Sequence, residues 1–211
     1  MMRLVSIGLI LLLTACGPLN SGSPLRDAVG TIASAVRGET GQDQPVITDA
    51  LINADEILFV TIRNFGTVIP MTKDSVVGPR ETWISDGGST VSLENGILVA
   101  TRGLGIDLSG ADPVGTYDAI LSEGGTSKRT HGYITTLDQT QLSEMDCEII
   151  SIGDETVEMP RGSATLKKFE EDCAGTRLVF KNEYWVNADG KIVRSLQVTS
   201  PQLGFLLLEK A

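Results

Sequence analysis

The stretch from residue 91 to residue 101 constrains the fold of this chain most strongly. It places Asn95-Gly96 between two short runs of apolar and β-branched residues. Asn-Gly suits the two central positions of a type I′ turn, which both need a positive φ, and this turn joins antiparallel strands directly. A two-residue turn predicts two cross-strand pairs, Leu93 with Leu98 and Val91 with Ala100. The sequence therefore predicts a β-hairpin with one apolar face.

Similar runs recur from Glu56 onward, separated by Gly, Asp and Asn. They predict strands over residues 57–62, 67–71, 83–84, 91–93, 97–101, 116–121, 131–136, 148–152, 156–159, 164–173, 177–186, 191–199 and 205–208. Residues 123–129 are predicted as a polar loop and Gly153-Asp154 as a turn. The 164–173 stretch stays open between strand and helix, because Leu166, Phe169 and Cys173 also share a helical face. The expected fold is mainly β, an antiparallel β sandwich or open barrel.

The clearest hairpin is the last one, with its turn at residues 187–190. Alternation along its two strands predicts an inner face made by Leu178, Phe180, Tyr184, Ile192, Leu196 and Val198.

The N-terminal part of the chain has a different periodicity. Ser23-Pro24 is typical of a helix start, with serine as the cap and proline in the first turn. Apolar residues then follow at helical spacing, at positions 25, 29, 32 and 36. They predict an amphipathic helix ending near Gly38. Residues 48–54 are predicted as a short second helix, so the β fold is expected to carry one or two N-terminal helices.

Residues 1–16, MMRLVSIGLILLLTAC, have the layout of a secretory signal. Arg3 supplies a positive charge, and the apolar run that follows is shorter than the roughly 20 residues that span a bilayer. Leu13-Thr14-Ala15-Cys16 resembles the lipobox of bacterial lipoproteins, in which the signal is cut before a lipid-modified cysteine. The resemblance implies a signal peptide at 1–15, a lipidated tether at 16–23 and one domain at 24–211. The alternatives are an ordinary signal peptide and a buried N-terminal helix.

The lipobox resemblance also implies where the protein resides. Its cysteine, Cys16, would carry acyl chains, and two or more such chains anchor a protein stably in a membrane. Gly17 follows the cysteine, whereas an aspartate there favours the inner membrane in enterobacterial lipoproteins. The expected location is therefore the outer membrane, on its periplasmic face.

Charge and cysteine content narrow the classes of partner. The formal net charge is −10, and cleavage after residue 15 would remove Arg3 and leave −11. Such an acidic chain is a poor candidate for binding nucleic acid. In an oxidising compartment Cys147 and Cys173 are expected to form a disulfide, the alternative being two free buried thiols. No metal site or cofactor is expected, because His131 is the only histidine and neither cysteine has a second ligand at short spacing.

Few residues point to catalysis. His131 is expected to be a surface strand residue, and Glu170-Glu171-Asp172 an exposed acidic face. Paired carboxylates can act as a glycosidase couple when they lie about 5 to 9.5 Å apart. The available candidates are Asp107, Asp112, Asp118 and Glu123. For sugar or partner contact the candidates are the rings of Trp83, Tyr184 and Trp185. Neighbours on a strand face opposite sides, so one of Tyr184 and Trp185 is a candidate for an exposed or partner-facing ring.

Several stretches together resemble one family. They are Trp83-Ile84-Ser85-Asp86-Gly87, the hairpin LENGILVATRGL at 93–104, Asn182-Glu183-Tyr184-Trp185, Asp189-Gly190, Arg194-Ser195-Leu196-Gln197 and Ser200-Pro201-Gln202. This set is similar to the YjbF-type lipoproteins, also called the GfcB type, which are encoded with exopolysaccharide and group-four capsule genes. The resemblance favours a strand over a helix for residues 164–173. It brings no catalytic residues with it.

The family resemblance implies a function. It predicts a non-enzymatic outer-membrane lipoprotein that assists exopolysaccharide or capsule secretion, together with an outer-membrane β-barrel and periplasmic proteins of the same operon. Direct contact with polysaccharide stays open. The alternatives are a periplasmic polysaccharide-modifying enzyme that uses paired carboxylates and a chaperone-like lipoprotein for outer-membrane assembly.

Overall fold

A computed structural model describes residues 56–134 and 139–211 of the chain, which belong to one compact unit. These residues form twelve β-strands: β1 Ile57–Ile62, β2 Thr67–Val77, β3 Arg80–Ile84, β4 Thr90–Glu94, β5 Ile97–Arg102, β6 Leu108–Asp112, β7 Gly124–Ile134, β8 Thr140–Met159, β9 Gly162–Gly175, β10 Val179–Val186, β11 Ile192–Ser200 and β12 Gly204–Lys210. One short helix, α1 Thr116–Leu121, lies between β6 and β7.

All twelve strands belong to one antiparallel sheet with the order β5-β4-β3-β2-β1-β12-β11-β10-β9-β8-β7-β6. Two meanders of successive hairpins are joined where β1 pairs with β12. The prediction of a mainly β, antiparallel fold is confirmed. The sheet curves into a barrel that is nearly closed, because its two edge strands do not pair. Within the described residues α1 is the one helix, and no helix there is long and apolar enough to cross a membrane.

The two edge strands, β5 and β6, meet at a seam without a backbone ladder. The Leu108 amide donates to the hydroxyl of Thr101 at 3.0 Å. The guanidinium of Arg102 donates to the carbonyl groups of Leu108 at 3.0 Å and Ser109 at 2.8 Å. Side chains of one edge therefore bond the backbone of the other, and they bring the sheet close to a complete barrel.

The interior has two unlike sides. The side built from β1–β5 and β12 is packed with aliphatic residues and Trp83, including Leu58, Val60, Met71, Leu93 and Leu206. We call it the apolar side. The side built from β7–β10 buries polar groups as well, including Ser127, Arg129, His131, Glu171 and Asn182. We call it the polar side.

The Asn95-Gly96 hairpin forms as predicted. Both residues have positive φ, 51° and 85°. A side chain at Gly96 would also place its Cβ 2.7 Å from Ile192. Both the positive φ and this close approach therefore favour glycine. Leu93 pairs with Leu98, as expected. The second expected pair is wrong, because a bulge between Ser92 and Leu93 puts Ala100 opposite Ser92.

Most predicted strands form, and residues 164–173 lie within strand β9. Residues 116–121 were expected as a strand but form α1, which buries Thr116, Ala119 and Ile120 at helical spacing. Residues 124–129 were expected as a loop but form the beginning of β7. The buried positions in this part of the strand are polar, so its sequence lacks the alternation of apolar and polar residues that predicts a strand. Gly153-Asp154 is not a turn. It lies at a bulge within the long strand β8, after Ser151.

The far end of the β8–β9 hairpin packs on the outside of the barrel. Its Val157 and Leu166 cluster with Trp185, and the partly buried Leu196 joins this outer cluster. Leu196 was expected on the inner face, so that part of the prediction is wrong. The other inner-face residues are buried, apart from Leu178, which is partly buried against the cluster around Phe180.

The predicted signal peptide 1–15, tether 16–23 and helices at 23–38 and 48–54 lie outside the described residues, as does Cys16.

Candidate functional site

Cys147 and Cys173 lie directly opposite one another on β8 and β9 and are joined by a disulfide. Their side chains are buried against Met145, Phe180 and Val198. A carboxylate oxygen of Glu171 lies within 4.8 Å of both sulfur atoms, so the three groups resemble a ligand set. The sulfur atoms are bonded to each other, however, and the carboxylate accepts hydrogen bonds from neighbouring side chains. This chemistry fits a structural crosslink.

A buried ion pair lies beside the disulfide on the polar side. Arg129 of β7 contacts Glu171 of β9 at 3.2 Å between Nη1 and Oε2, and the two side chains are 1% and 0% exposed. Strand β8 runs between these two strands, so the pair ties together strands that do not hydrogen-bond directly. Removing two charges from water costs several kcal/mol per ion, which the site must offset with hydrogen bonds.

Neighbouring side chains supply those hydrogen bonds. Glu171 accepts from the Tyr184 hydroxyl at 2.7 Å, from the Asn182 amide at 2.8 Å and from the Thr116 hydroxyl at 2.9 Å. Arg129 donates to Tyr184 at 3.2 Å and to the Leu98 carbonyl at 3.3 Å. We call these residues the interior network. It connects α1 and the edge strand β5 to the middle of the sheet.

Burial fixes the protonation of this network. Burial raises the pKa of the Tyr184 hydroxyl well above its ordinary value, and the neighbouring Glu171 carboxylate raises it further. Burial opposes the charge of Arg129, but Glu171 and Tyr184 hold the pKa of the guanidinium above its ordinary value. Tyr184 is therefore a neutral donor and Arg129 a permanent cation. Such groups are suited to holding elements together rather than to moving protons.

His131 is buried, so its expected place on the surface is wrong. Its Nδ1 lies 2.9 Å from the Tyr133 hydroxyl, and its ring stacks on Phe180 with centroids 5.4 Å apart. Burial, and then the charge of Arg129, lowers the pKa of His131 to about 3. Burial raises the pKa of Tyr133 to about 12. A general base needs a pKa near the working pH, so His131 is unsuited to that role.

The three candidate rings are all buried. Trp83 is 1% exposed, Tyr184 0% and Trp185 4%. Tyr184 and Trp185 do face opposite sides of β10, but the end of the β8–β9 hairpin covers Trp185, so neither ring is exposed. Lys168 and Arg194 lie over the Trp185 ring at 4.9 and 5.0 Å. Sugar or partner contact at these rings stays a prediction.

The four candidate carboxylates are dispersed, apart from one pair. Asp107 caps a turn by accepting from the amides of Gly103 and Leu104. Glu123 pairs with Lys167. Asp112 and Asp118 line one small cleft next to Tyr117, and both are exposed. A glycosidase acid instead lies in a buried, apolar surrounding, which this exposed pair lacks.

A wider cavity of about 680 Å³ opens at one end of the barrel. Its inner wall carries Lys73, Glu81, Trp83 and Lys210. One oxygen of Glu81 lies 3.4 Å from the ammonium of Lys73, and the other lies 2.7 Å from that of Lys210. Both ammonium groups lie over the Trp83 ring, at 5.0 and 5.7 Å. We call this cavity the basic mouth.

The network and the mouth were missed by the sequence reasoning. The run Glu170-Glu171-Asp172 was expected to be exposed, but its middle residue is fully buried. The signal was present, because Glu171 has the same strand parity as Phe169 and Cys173, which are also buried. Lys73 and Lys210 carry the same signal, since Lys73 has the strand parity of the buried Met71 and Lys210 that of the buried Leu206 and Leu208.

The described residues thus define a class, a nearly closed antiparallel β-barrel domain whose interior is polar on one side and which contains a disulfide. A model of the family described as "Group 4 capsule polysaccharide lipoprotein gfcB, YjbF" matches residues 35–210. The chain belongs to this family, as its motifs predicted, and is a member of a capsule polysaccharide lipoprotein family.

A solved structure supports the fold. The crystal structure of the hypothetical lipoprotein YmcC from Escherichia coli K12 is similar, with a TM-score of 0.68 and 16% sequence identity. The similarity covers 90% of this chain and 96% of that one. No curated protein sequence matches the chain.

Proposed function

We propose that this protein is a non-enzymatic accessory in capsule or exopolysaccharide export, anchored by lipid on Cys16 to the periplasmic face of the outer membrane. The observation that carries the proposal is the family match over residues 35–210. The partners would be an outer-membrane β-barrel and periplasmic proteins of the same polysaccharide operon.

The chemistry of the interior favours an accessory over an enzyme. The interior network holds a neutral tyrosine and a permanently charged arginine, and the buried histidine has its pKa lowered to about 3. The two carboxylates that share a cleft, Asp112 and Asp118, are exposed to water. None of these groups has the environment of a general acid or base.

Deletion and complementation test the proposal. Deleting the gene should reduce surface polysaccharide, measured by extraction and quantitative immunoblotting, and the wild-type gene should restore it. Cys16→Ser should leave the protein out of the membrane fraction and should not restore export. Asp112→Asn with Asp118→Asn should restore export fully, because an accessory needs no carboxylate couple.

Three outcomes would contradict it. Unchanged surface polysaccharide after deletion would remove the export role. A Cys16→Ser protein still held firmly in membranes would remove the lipid anchor. Failure of the folded, membrane-bound aspartate variant would favour the enzyme.

A further inference from the structure

We infer that the basic mouth binds an anionic saccharide through its lysine and arginine side chains. That the ligand is a saccharide rests on the proposed function. That it is anionic rests on the cavity itself. The mouths of β-barrels are preferred ligand sites, and about 680 Å³ lies within the range of roughly 300–1,000 Å³ that such sites occupy.

The charge of the mouth is opposite to that of the protein. Four basic side chains line it, against the two carboxylates Glu56 and Glu81, and the basic ones are Lys73, Arg161, Lys191 and Lys210. The whole chain has a formal net charge of −10. A cavity of local positive charge in an acidic protein attracts anions to that one place.

Glu81 illustrates how a ligand carboxylate would be held. Its two oxygens receive one ammonium group each, Lys73 on one side and Lys210 on the other. Burial raises the pKa of Glu81, but Lys210 and Lys73 together keep it below its ordinary value. Lys191 forms no ion pair with the described residues and is exposed, so its charge is available to a second anionic group.

The wall of the mouth also contains an unsatisfied donor. Trp83 lines the cavity and is 1% exposed, and its indole N–H has no acceptor among the described residues. A buried donor without an acceptor costs about 1–3 kcal/mol, so a ligand oxygen that reached this N–H after a local rearrangement would recover part of that cost. Sugars offer such oxygens beside their charged groups. Asn95 and the Tyr117 hydroxyl add polar groups to the same wall.

Titration of the purified, folded chain tests the inference. The probes are trigalacturonate, a saccharide with a carboxylate on each ring, the neutral maltotriose, glucose 1-phosphate and inorganic phosphate. Calorimetry and tryptophan fluorescence, to which Trp83 of the mouth and Trp185 of the outer cluster both contribute, should detect trigalacturonate. They should detect maltotriose at least about tenfold more weakly, because charge-assisted hydrogen bonds are lost. Tighter binding of glucose 1-phosphate than of trigalacturonate would assign the anion as a phosphate on the sugar and would also support the mouth.

Variants locate the site. Lys73→Gln with Lys210→Gln should weaken trigalacturonate binding about tenfold or more, and Lys191→Gln, which breaks no ion pair with described residues, should weaken it severalfold. The matched control is Lys128→Gln with Lys181→Gln, two lysines that pair with carboxylates on the outer face. It should bind as the wild type does. If the double mouth variant fails to fold, Lys191→Gln alone decides.

Four outcomes would overturn the inference: no binding of either trigalacturonate or glucose 1-phosphate, binding of maltotriose equal to that of the tighter anionic saccharide, binding of inorganic phosphate as tight as that of any saccharide, or equal loss in the outer-face control. These are separate from the export assay. Loss of export on deletion without any saccharide binding would defeat this inference alone, whereas intact export after deletion would defeat the proposed function.

Discussion

The two sides of the barrel interior are filled by different chemistry. The apolar side packs aliphatic residues whose contacts are individually weak and interchangeable. The polar side places Arg129 and Glu171 where water cannot reach, and each depends on named partners. An aliphatic core tolerates substitution by apolar residues of similar volume, whereas removing the partner of a buried charge is strongly destabilising. The difference teaches that equal burial does not mean equal sensitivity to substitution.

The largest expected effect comes from breaking the buried ion pair between Arg129 and Glu171. Glu171→Gln keeps the volume but leaves the Arg129 charge unpaired, and should lower the free energy of unfolding by about 3–5 kcal/mol. The matched change on the apolar side, Met71→Leu, should cost less than about 1.5 kcal/mol. Urea denaturation measures both. Similar costs for the two variants would show that the two sides do not differ in this way.

The same comparison can be sharpened by removing both charges. Arg129→Met with Glu171→Gln should be more stable than Glu171→Gln alone, because no uncompensated charge then remains inside. The glutamine retains an acceptor for Tyr184 and Asn182. A double variant less stable than the single one would mean that the arginine contributes mainly through packing.

The next effect concerns the crosslink on the polar side. Replacing Cys147 and Cys173 by alanine should lower the free energy of unfolding by about 3.5 kcal/mol, because the closed loop no longer restricts the unfolded chain. The sequence separation is 26 residues. Thermal melts with and without reductant measure the effect. A difference from wild type that persists undiminished in excess reductant would assign the loss to packing rather than to the disulfide.

The smallest effect depends on pH. The folded-state pKa of His131 is lowered to about 3, against an unfolded value near 6.5, so its contribution is present above pH 6.5 and is lost as the pH falls. Between pH 7.5 and pH 5 the loss should be about 2 kcal/mol. His131→Phe, which keeps an aromatic ring against Phe180, should remove this part of the slope. An identical slope in wild type and variant would place the titration elsewhere.

The apolar side could be predicted from the sequence to a large extent. The Asn95-Gly96 turn and the apolar residues around Leu93 and Leu98 are neighbours in the sequence, and interactions between such neighbours are enough to form that hairpin. The polar side could not, because Ser127 and Arg129 occupy interior positions of β7 and remove the apolar period. Residues 116–121 have β-branched and aromatic members but fold as a helix, since Thr116, Ala119 and Ile120 bury one helical stripe.

Of the candidate site, only the disulfide between Cys147 and Cys173 was predicted from the sequence. The two cysteines are conspicuous in any sequence. The pairing of Arg129 with Glu171 depends on strands that are 42 residues apart in the chain. The basic mouth depends on strands at both ends of the described region, because Lys210 reaches Glu81 across 129 positions. Contacts at such separations follow from strand order, which local patterns do not encode.

The seam between β5 and β6 has a consequence for neighbouring copies. Free sheet edges offer unpaired amides and carbonyls that a second chain can extend into an aggregate. Here the two edges face each other, and Thr101 and Arg102 occupy some of the exposed backbone groups of β6. A neighbouring copy would therefore have to break these contacts before it could add a strand at this edge of the sheet.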